Sequence, residues 1–278
     1  MPEPMPPFDV LVRLPAVLKL PGMEQAVVRK DLVYKTAGEQ ALRFDLFRPG
    51  DAAPEAPAPL VVLVHGGPIP EGASAKNMGI FQSLGRLLAA SGLAAVAFSH
   101  RFHKPSMLLE AAGDLRDALR HLRDGAAGYG LDPERVALWA FSGGGPFLSS
   151  ALRDAPAYLK ALVAYYAVLD LRERPPGAAA GGPEDLTDDV RQAFSPAYHV
   201  GVRGRSAPPT LVARAGADTP WLNAGIDRFV ACALQANAEI EVLNHPDGRH
   251  GFDLVDDVPR SHEILRRTLD FLRARLVA

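Results

Sequence analysis

One segment in the middle of the chain constrains the fold most, because an apolar run leads directly into Ser142 and glycines follow at once. Residues 135–140 have the composition of a buried strand, and 146–152 is predicted to lie in a helix. A serine between such elements sits on a turn too sharp for bulky neighbours, which is the geometry of a nucleophile elbow. Gly144 leaves room for the helix to begin close behind the serine, whereas Ala140 stands where this pattern usually has glycine.

Strands and helices alternate along most of the chain. Buried strands are also predicted at 60–64, 93–98, 161–168, 210–215 and 239–243, and amphipathic helices at 78–88, 108–122, 221–235 and 264–276. Repeated strand–helix units indicate an α/β fold with a doubly wound, mostly parallel central sheet. Two earlier strands, at 26–34 and 41–47, are predicted to form an antiparallel pair at one edge of this sheet.

The chain is predicted to consist of an N-terminal extension, residues 1–24, and one α/β domain, residues 25–278. Within the domain, residues 171–209 are rich in Pro, Gly and Arg, and a helical pattern occurs only at 186–194. We interpret 171–209 as a short lid inserted between two strands.

Composition and charge argue against several classes of protein. The formal net charge is −2 and no dense basic run occurs, so no nucleic-acid partner is expected. The single cysteine, Cys232, excludes an internal disulfide and lies in an apolar helical pattern, which indicates a buried thiol. The start lacks the features of a signal peptide, and Val10–Leu20 is too short to span a bilayer. We therefore expect a cytoplasmic protein without a membrane partner, whose oligomeric state the sequence does not reveal.

The serine of the elbow becomes a nucleophile only with a base that removes its proton and an acid that orients the base. His250, in the loop after the last predicted strand, is the candidate base, and Asp218, after the preceding strand, is the candidate acid. His245 is an alternative base, but Pro246 restrains its backbone. The order serine, aspartate, histidine along the chain is that of the α/β-hydrolase fold.

Simpler structural roles compete with these interpretations. Ser142 also fits a turn at a phosphate-binding helix N-terminus, and Asp218 also fits a helix N-cap. Asp247 and Asp253 are rival acids, although both lie in the histidine's own loop. We favour the triad because a phosphate-binding loop leaves the late aspartate and histidine unexplained.

A negative charge that develops on a substrate oxygen would need hydrogen-bond donors beside the serine. The backbone N–H of Gly143, next to the serine, is one candidate. The loop after the strand 60–64 contains two glycines followed by a proline, which has no N–H, so the second donor is Gly66, Gly67 or Ile69. His65, which precedes the glycines, is interpreted as a brace for the loop.

This chemistry needs no metal and no organic cofactor. His100 and His103 lie close together in the sequence, but no carboxylates stand at a metal-binding spacing, so no metal site is predicted. Arg101 is interpreted as a loop brace. Trp221 and Phe194 are predicted to line the substrate pocket. The remaining aromatic residues of this region are interpreted as core or pocket wall: Tyr165, Tyr166 and Tyr198.

Together these motifs resemble the α/β-hydrolase superfamily from about residue 25 to the C terminus. The histidine-glycine-glycine loop, the elbow, Asp218 and His250 occur in the order of that superfamily. The chain is similar to small esterases and lipases with this loop, to dienelactone-hydrolase-like proteins and to prolyl-oligopeptidase-like peptidases. It departs from the usual glycines at Ala140 and Pro68, and Pro68 argues against a full hormone-sensitive-lipase type.

The resemblance implies a serine carboxylic-ester hydrolase that cleaves small to medium acyl esters through an acyl-enzyme, so the expected partner is a small-molecule ester. One alternative is a prolyl-oligopeptidase-like peptidase, although such enzymes usually carry an additional domain that filters substrates. Another is a ligand-binding protein that keeps the fold without catalysis. An acyltransferase that uses the same acyl-enzyme is also open, and the sequence specifies neither acyl chain length nor alcohol.

Overall fold

An eight-stranded sheet forms the centre of the protein, whose computed structural model describes residues 6–50, 57–174, 177 and 185–277. The strands are β1 Val27–Ala37, β2 Gln40–Arg48, β3 Ala58–Val64, β4 Ala94–Phe98, β5 Leu131–Phe141, β6 Leu159–Tyr165, β7 Thr210–Ala215 and β8 Ile240–His245. Their order is β1-β2-β4-β3-β5-β6-β7-β8. β2 is antiparallel to both of its neighbours, and the other pairs are parallel. The predicted doubly wound, mostly parallel sheet with an antiparallel pair at one edge is confirmed.

Ten helices occur within the described ranges, and the second to the eighth of them connect the parallel strands. They are α1 Phe8–Leu11, α2 Gly79–Ala90, α3 Leu108–Asp124, α4 Ala126–Tyr129, α5 Leu148–Asp154, α6 Asp188–Ala193, α7 Pro196–Arg203, α8 Pro220–Gln235, α9 Phe252–Val255 and α10 Pro259–Leu276. Short 3₁₀ turns occur at Met23–Gln25, Ala75–Asn77, Pro105–Met107, Ser142–Phe147 and Gly204–Ser206. In these ranges we find no helix with the length and apolar character needed to span a bilayer.

The side chains of β5 show that helices cover both faces of the sheet, because successive residues of a strand point to opposite sides. On one side Phe141 packs against Trp139 and against Phe81 of α2, with ring centroids 5.3 and 5.4 Å apart. Tyr165 packs edge-on against Trp139, and its hydroxyl hydrogen-bonds to a threonine of α10 at 2.7 Å. On the other side Leu138 lines a cavity with residues of α3 and α5. α2 and α10 thus cover one face, and α3 and α5 cover the other.

The central strand β3 positions the candidate site. All seven of its residues are buried, as its apolar composition predicts. It lies between β4 and β5 and is parallel to both, with Val64 opposite Ala140. Because the two strands end side by side, the loop after β3 meets the turn after β5 at the same edge of the sheet.

The helix predicted at 146–152 begins differently in the structure. A 3₁₀ turn from Ser142 to Phe147 follows β5 directly, with Pro146 inside it, and α5 starts only at Leu148. Proline lacks the N–H that an α-helical hydrogen bond at that position would need, so the tighter turn comes first.

The stretch 171–209 contains more regular structure than its composition indicates. The predicted helical pattern at 186–194 is confirmed as α6, but a second helix, α7, was not predicted. It begins at Pro196, in the first helical position that proline favours, and it packs against α8. Residues 175–176 and 178–184 of the predicted lid, like residues 1–5 of the predicted extension, lie outside the described residues.

Gly85 tests how tightly α2 packs on the sheet. An ideal Cβ at Gly85 would lie 2.6 Å from Cγ of Phe47, whose side chain is fully buried in β2. We expect Gly85→Ala to lower the free energy of unfolding by about 1–3 kcal/mol, because the added methyl forces a buried ring to move. Urea denaturation measures the change.

Gly113 of α3 offers a matched control within a helix. The nearest atom to a Cβ there would be a guanidinium nitrogen of Arg116 at 3.7 Å, which is ordinary contact. We expect Gly113→Ala to leave the free energy of unfolding unchanged or raise it by up to about 1 kcal/mol, through helix propensity. Equal losses in the two variants would contradict the packing argument.

Candidate active site

Ser142 follows β5 on a strained turn. Its φ of 51° lies in the left-handed region, which costs a non-glycine residue about 1–3 kcal/mol. A Cβ at Gly144 would lie 2.7 Å from the carbonyl oxygens of both Val64 and His65, so only glycine fits two residues after the serine. Ala140 is fully buried in β5, and its methyl group is accommodated there. The predicted sharp turn is therefore present, with the serine at its tip.

The structure brings the three predicted triad residues together. His250 Nε2 lies 2.9 Å from Ser142 Oγ, and His250 Nδ1 lies 2.5 Å from Asp218 Oδ2. Since a carboxylate only accepts, Nδ1 donates to Asp218 and Nε2 is left to accept from the serine hydroxyl. Asp218 Oδ1 accepts a second hydrogen bond from the N–H of Thr219 at 2.7 Å, and the carboxylate side chain is 4% exposed.

The loops that carry the acid and the imidazole are joined through their backbones. Gly216 donates its N–H to the carbonyl of His245 at 2.8 Å, and Ala217 donates to the carbonyl of Gly248 at 2.9 Å. A side chain at Gly216 would overlap the carbonyl oxygen of Pro246, so the two loops approach as closely as their backbones allow. This contact fixes the distance between Asp218 and His250 independently of their side chains.

The glycines of the loop after β3 lie against the elbow. A Cβ at Gly66 would be 2.8 Å from Cβ of Ser142 and 3.2 Å from the nitrogen of Gly143. A Cβ at Gly143 would overlap the carbonyl oxygen of Gly67 and lie 3.1 Å from its nitrogen. Ile69, the third candidate donor, gives its N–H to a backbone carbonyl at 3.1 Å. Gly66 and Gly67 thus remain the candidates for the second oxyanion donor beside Gly143.

His65 and His100 form a buried pair behind this loop. His65 Nδ1 lies 2.6 Å from the carbonyl oxygen of Gly66, and its Nε2 accepts the N–H of His100 at 3.4 Å. The two rings stack in parallel with centroids 3.6 Å apart. Burial lowers the pKa of His65 to about 4 and that of His100 well below its usual value, so both rings are neutral at pH 7. The geometry of His65 is that of a loop brace.

The remaining polar residues of this region also have structural contacts. Arg101 forms a two-pronged ion pair with Asp114, at 2.8 and 2.9 Å, and donates its backbone N–H to the same carboxylate. His103 Nδ1 lies 3.2 Å from the carbonyl oxygen of Ile69. The ranges that the structure describes contain no group of three His, Cys, Asp or Glu side chains arranged to hold a metal ion.

The rival residues occupy other positions. His245 is the last residue of β8, and its Nε2 lies 3.2 Å from Ser261 Oγ of α10. Asp247 is exposed. Asp253 is fully buried in α9, where its Oδ1 accepts the hydroxyl of Tyr166 at 2.7 Å. Neither rival acid takes the place that Asp218 occupies beside the imidazole.

Tyr166 connects the buried Asp253 to the candidate base. The Tyr166 ring packs against the imidazole of His250 with centroids 4.7 Å apart, and its φ of 36° is again left-handed. Asp253 Oδ2 has no hydrogen-bond partner among the described residues, and burial raises the pKa of this carboxyl to about 6. The sequence placed Tyr166 in the core or pocket wall, but the support it gives to His250 was not predicted.

A cavity of about 320 Å³ opens beside the serine. It is lined by Ser142, His250, Gly66 and Gly67 together with mainly apolar side chains. Phe194, predicted to line this pocket, lies instead on a separate cavity of about 500 Å³ between α3 and α5. Trp221, the other predicted pocket residue, donates its indole N–H to the carbonyl of Glu173 and is not among the lining residues. Neither predicted pocket residue therefore lines the cavity beside the serine.

Asp253→Asn tests the buried carboxyl. Its pKa rises from 3.8 to about 6 on folding, so the neutral form stabilises the fold fully below pH 4 and this stabilisation is lost as the pH rises through 6. We expect this group to lower the free energy of unfolding of the unmodified protein by about 3 kcal/mol between pH 4 and 8. Asp253→Asn cannot ionise and should lack that component in urea denaturation over this pH range.

Asp247→Asn serves as the control for this experiment, because it removes an exposed carboxyl from the same loop. It should keep the pH dependence of the unmodified protein. Parallel pH profiles for Asp253→Asn and the unmodified protein would show that the Asp253 carboxyl ionises alike in the folded and unfolded states.

Comparisons with known proteins place this geometry in context. The profile of the BD-FAE family matches residues 44–154, which include the loop after β3 and the elbow. Esterase LipQ of Mycobacterium tuberculosis is 25% identical over 275 aligned residues, covering 91% of this chain. The chain spans 63% of the length of LipQ.

Solved structures of esterase 2 from the planctomycete Thermogutta terrifontis have the same fold. The native enzyme superposes with a TM-score of 0.70 at 22% identity, covering 91% of this chain and 94% of the other. The butyrate-bound form gives 0.69 at 22% identity, covering 92% and 95%. The form phosphorylated by paraoxon gives 0.67 at 21% identity, covering 93% and 95%.

The likeness to these structures extends over nine-tenths of both chains, so it is not confined to the elbow. The strand order and the elbow between β5 and α5 fit the resemblance that the motifs indicate. The chain is therefore an α/β-hydrolase by fold.

Proposed function

We propose that this chain is a serine hydrolase that cleaves carboxylic esters with small to medium acyl groups. The observation that carries the proposal is the position of His250, which bridges Ser142 at 2.9 Å and Asp218 at 2.5 Å. In this tautomer the Nε2 lone pair faces the serine hydroxyl. The imidazole is therefore placed to act as a general base without rearrangement.

In the acylation step, His250 Nε2 takes the proton of Ser142 as Oγ attacks the carbonyl carbon of the ester. The resulting oxyanion accepts hydrogen bonds from the N–H of Gly143 and from that of Gly66 or Gly67. Collapse of the intermediate breaks the bond to the alcohol oxygen, and the imidazolium gives that oxygen the proton. Asp218 stays ionised and stabilises the imidazolium.

In the deacylation step a water molecule takes the place of the alcohol. His250 removes a proton from the water as its oxygen attacks the acyl carbon of the acyl-enzyme. Collapse of the second tetrahedral intermediate breaks the bond to Ser142 Oγ, which regains a proton from the imidazolium. The carboxylic acid leaves and the enzyme returns to its starting state.

The relatives support this reaction class and a small substrate. LipQ is named an esterase, and the Thermogutta terrifontis esterase 2 structures include forms with bound butyrate and bound propionate. Other forms of that enzyme are phosphorylated by paraoxon or phosphonylated by sarin. The cavity of about 320 Å³ beside Ser142 lies at the small end of ligand pockets, which fits short acyl groups.

Ser142→Ala tests the nucleophile directly. We expect kcat for p-nitrophenyl butyrate to fall by about 10⁴-fold or more, because the acyl-enzyme cannot form. Ser150→Ala, an exposed serine on α5, should keep the rate of the unmodified protein. Intact-protein mass spectrometry after treatment with paraoxon should show one adduct on the unmodified protein and on Ser150→Ala, but none on Ser142→Ala.

Equal esterase rates for the unmodified protein and Ser142→Ala would exclude Ser142 as the nucleophile. Faster cleavage of aminoacyl-nitroanilides than of esters would favour a peptidase instead. A folded protein that neither turns over esters nor reacts with paraoxon would favour a binding role, and ester formation with added alcohols would favour an acyltransferase.

Asp218→Asn tests the orienting acid. An amide can donate to Nδ1 and so favours the tautomer with the proton on Nε2, which cannot accept the serine proton. We expect kcat to fall by about 10³–10⁴-fold with little change in KM for p-nitrophenyl butyrate. Asp247→Asn, the exposed aspartate nearby, should keep the original kcat. A kcat for Asp218→Asn within twofold of the original would remove Asp218 from the triad.

A further inference from the structure

The N-terminal segment lies against the body of the protein through backbone hydrogen bonds. The carbonyl of Val12 accepts the N–H of Gly79, at the start of α2, at 2.8 Å. Ala16 donates its N–H to Ser83 Oγ of α2 at 2.6 Å, and Val17 donates to the carbonyl of Asp253 in α9 at 2.8 Å. These bonds attach one continuous segment both to α2 and to the helix that follows the candidate base.

Side-chain burial and close packing add to this attachment. Ala16 and Leu18 are each 1% exposed. A Cβ at Gly79 would lie 2.5 Å from the carbonyl oxygen of Arg13 and 2.7 Å from that of Leu14. Since Gly79 has no left-handed φ, its glycine provides space for the passing chain and not a turn. Residues 12–18 therefore hold α1 in a defined place.

In that place the segment lines the cavity beside Ser142. Phe8, Leu11 and Val12 line the cavity that Ser142 and His250 also line. No described residue of 171–209, the predicted lid, is among the lining residues. The covering element is thus the N-terminal segment, which the sequence analysis separated from the α/β domain as an extension.

The lining of the cavity determines which kind of substrate group can bind there. The lining combines the α1 side chains with apolar residues at the start of α2: Met78, Ile80 and Phe81. None of the described lining residues is Asp, Glu, Lys or Arg. A charged substituent would lose its hydration there without gaining a partner, whereas an alkyl or aryl chain would bury apolar surface.

We propose that the N-terminal segment is a specificity element, in which Leu11 and Phe8 close the apolar cavity and limit the length of the uncharged chain that a substrate ester can place there. This inference rests on the proposed esterase function. Phe8 is 45% exposed and no residue of α1 is buried, so the helix contributes a wall and little to the core. Its position depends on the bonds of residues 12–18 and not on its own packing.

The first test changes the size of the wall in the full chain. Leu11→Ala should raise the ratio of kcat/KM for p-nitrophenyl octanoate to kcat/KM for the acetate by about tenfold. Leu11→Trp should lower this ratio by a similar factor. The expected size follows because one methylene in an apolar pocket changes kcat/KM by roughly 10–200-fold. Val10→Ala is the matched control, because Val10 lies on the same helix, is 42% exposed and does not line the cavity. A parallel series of alkyl acetates shows whether the acyl chain or the alcohol of the substrate contacts the α1 side chains.

The second test releases the segment without touching the cavity. Gly79→Ala inserts a methyl where two carbonyl oxygens pass and should shift the chain-length profile in the same direction as Leu11→Ala. It should also speed hydrogen exchange of the Val17 amide, which donates to Asp253. Gly128→Ala is the control, since a Cβ there meets nothing within 4 Å. The Leu11 variants keep the test decisive if Gly79→Ala does not fold.

The outcomes separate this inference from the proposed function. If the unmodified protein hydrolyses the esters and all Leu11 and Gly79 variants keep its chain-length profile, the N-terminal segment has no part in specificity while the esterase stands. If the unmodified protein hydrolyses none of the esters, the proposed function fails first. Opposite shifts for Leu11→Ala and Leu11→Trp, with no shift for Val10→Ala, are the expected result.

Discussion

The approach of two backbones at the ends of β3 and β5 is the contact on which the candidate site depends. Val64 and Ala140 are opposite each other in the parallel ladder, so the chain leaves both strands at the same height. The loop and the elbow then come so close that Gly66 and Gly144 have no room for a Cβ. Any side chain at these positions would separate the candidate oxyanion donors from the serine, and in an enzyme active site a displacement of about 1 Å costs roughly 10²-fold in rate.

A second backbone contact holds the loops of the candidate acid and the candidate base close together. Because β7 and β8 are neighbours, the loops after them lie side by side, and hydrogen bonds from Gly216 and Ala217 tie them together. The distances within the candidate triad are therefore a consequence of strand order more than of the three side chains. Tyr166 fills the space between His250 and Asp253, which leaves Asp218 as the carboxylate bonded to the imidazole.

Much of this arrangement could be predicted from the sequence because it depends on patterns within short segments. Uniformly apolar runs mark buried parallel strands, and the elbow requires small residues in a fixed order, so the sheet and the position of Ser142 were accessible. Asp218 and His250 followed from their place after late strands. The helix α7 was missed because its surroundings are rich in Gly, Pro and Arg, although Pro196 in its first turn is a start signal.

What escaped prediction depends on which distant segments meet. Phe194 and Trp221 are aromatic residues in the region from β6 to the start of α8, but the sequence does not show which cavity a side chain reaches, and neither lines the serine cavity. The support of His250 by Tyr166 and Asp253 joins the residue after β6 to α9 through a hydrogen bond between residues 87 positions apart. No periodicity within one segment encodes such a pair.

The position of the N-terminal segment is a further feature that the sequence could not predict. Its attachments are mainly backbone N–H and C=O groups of Val12 and Val17, which every residue type except proline can supply in full, so they leave no mark in the sequence. Two residues of α2 reflect the contact in their identity: the hydroxyl of Ser83 accepts the N–H of Ala16, and Gly79, whose φ is not left-handed, provides space for the passing backbone. A glycine at the first position of a helix can have several causes that the sequence does not distinguish. Only the folded structure shows that this glycine leaves space for the backbone of the N-terminal segment. The placement of α1 at the cavity thus depends on these hydrogen bonds and on a missing methyl group on α2, far along the chain from the residues it positions.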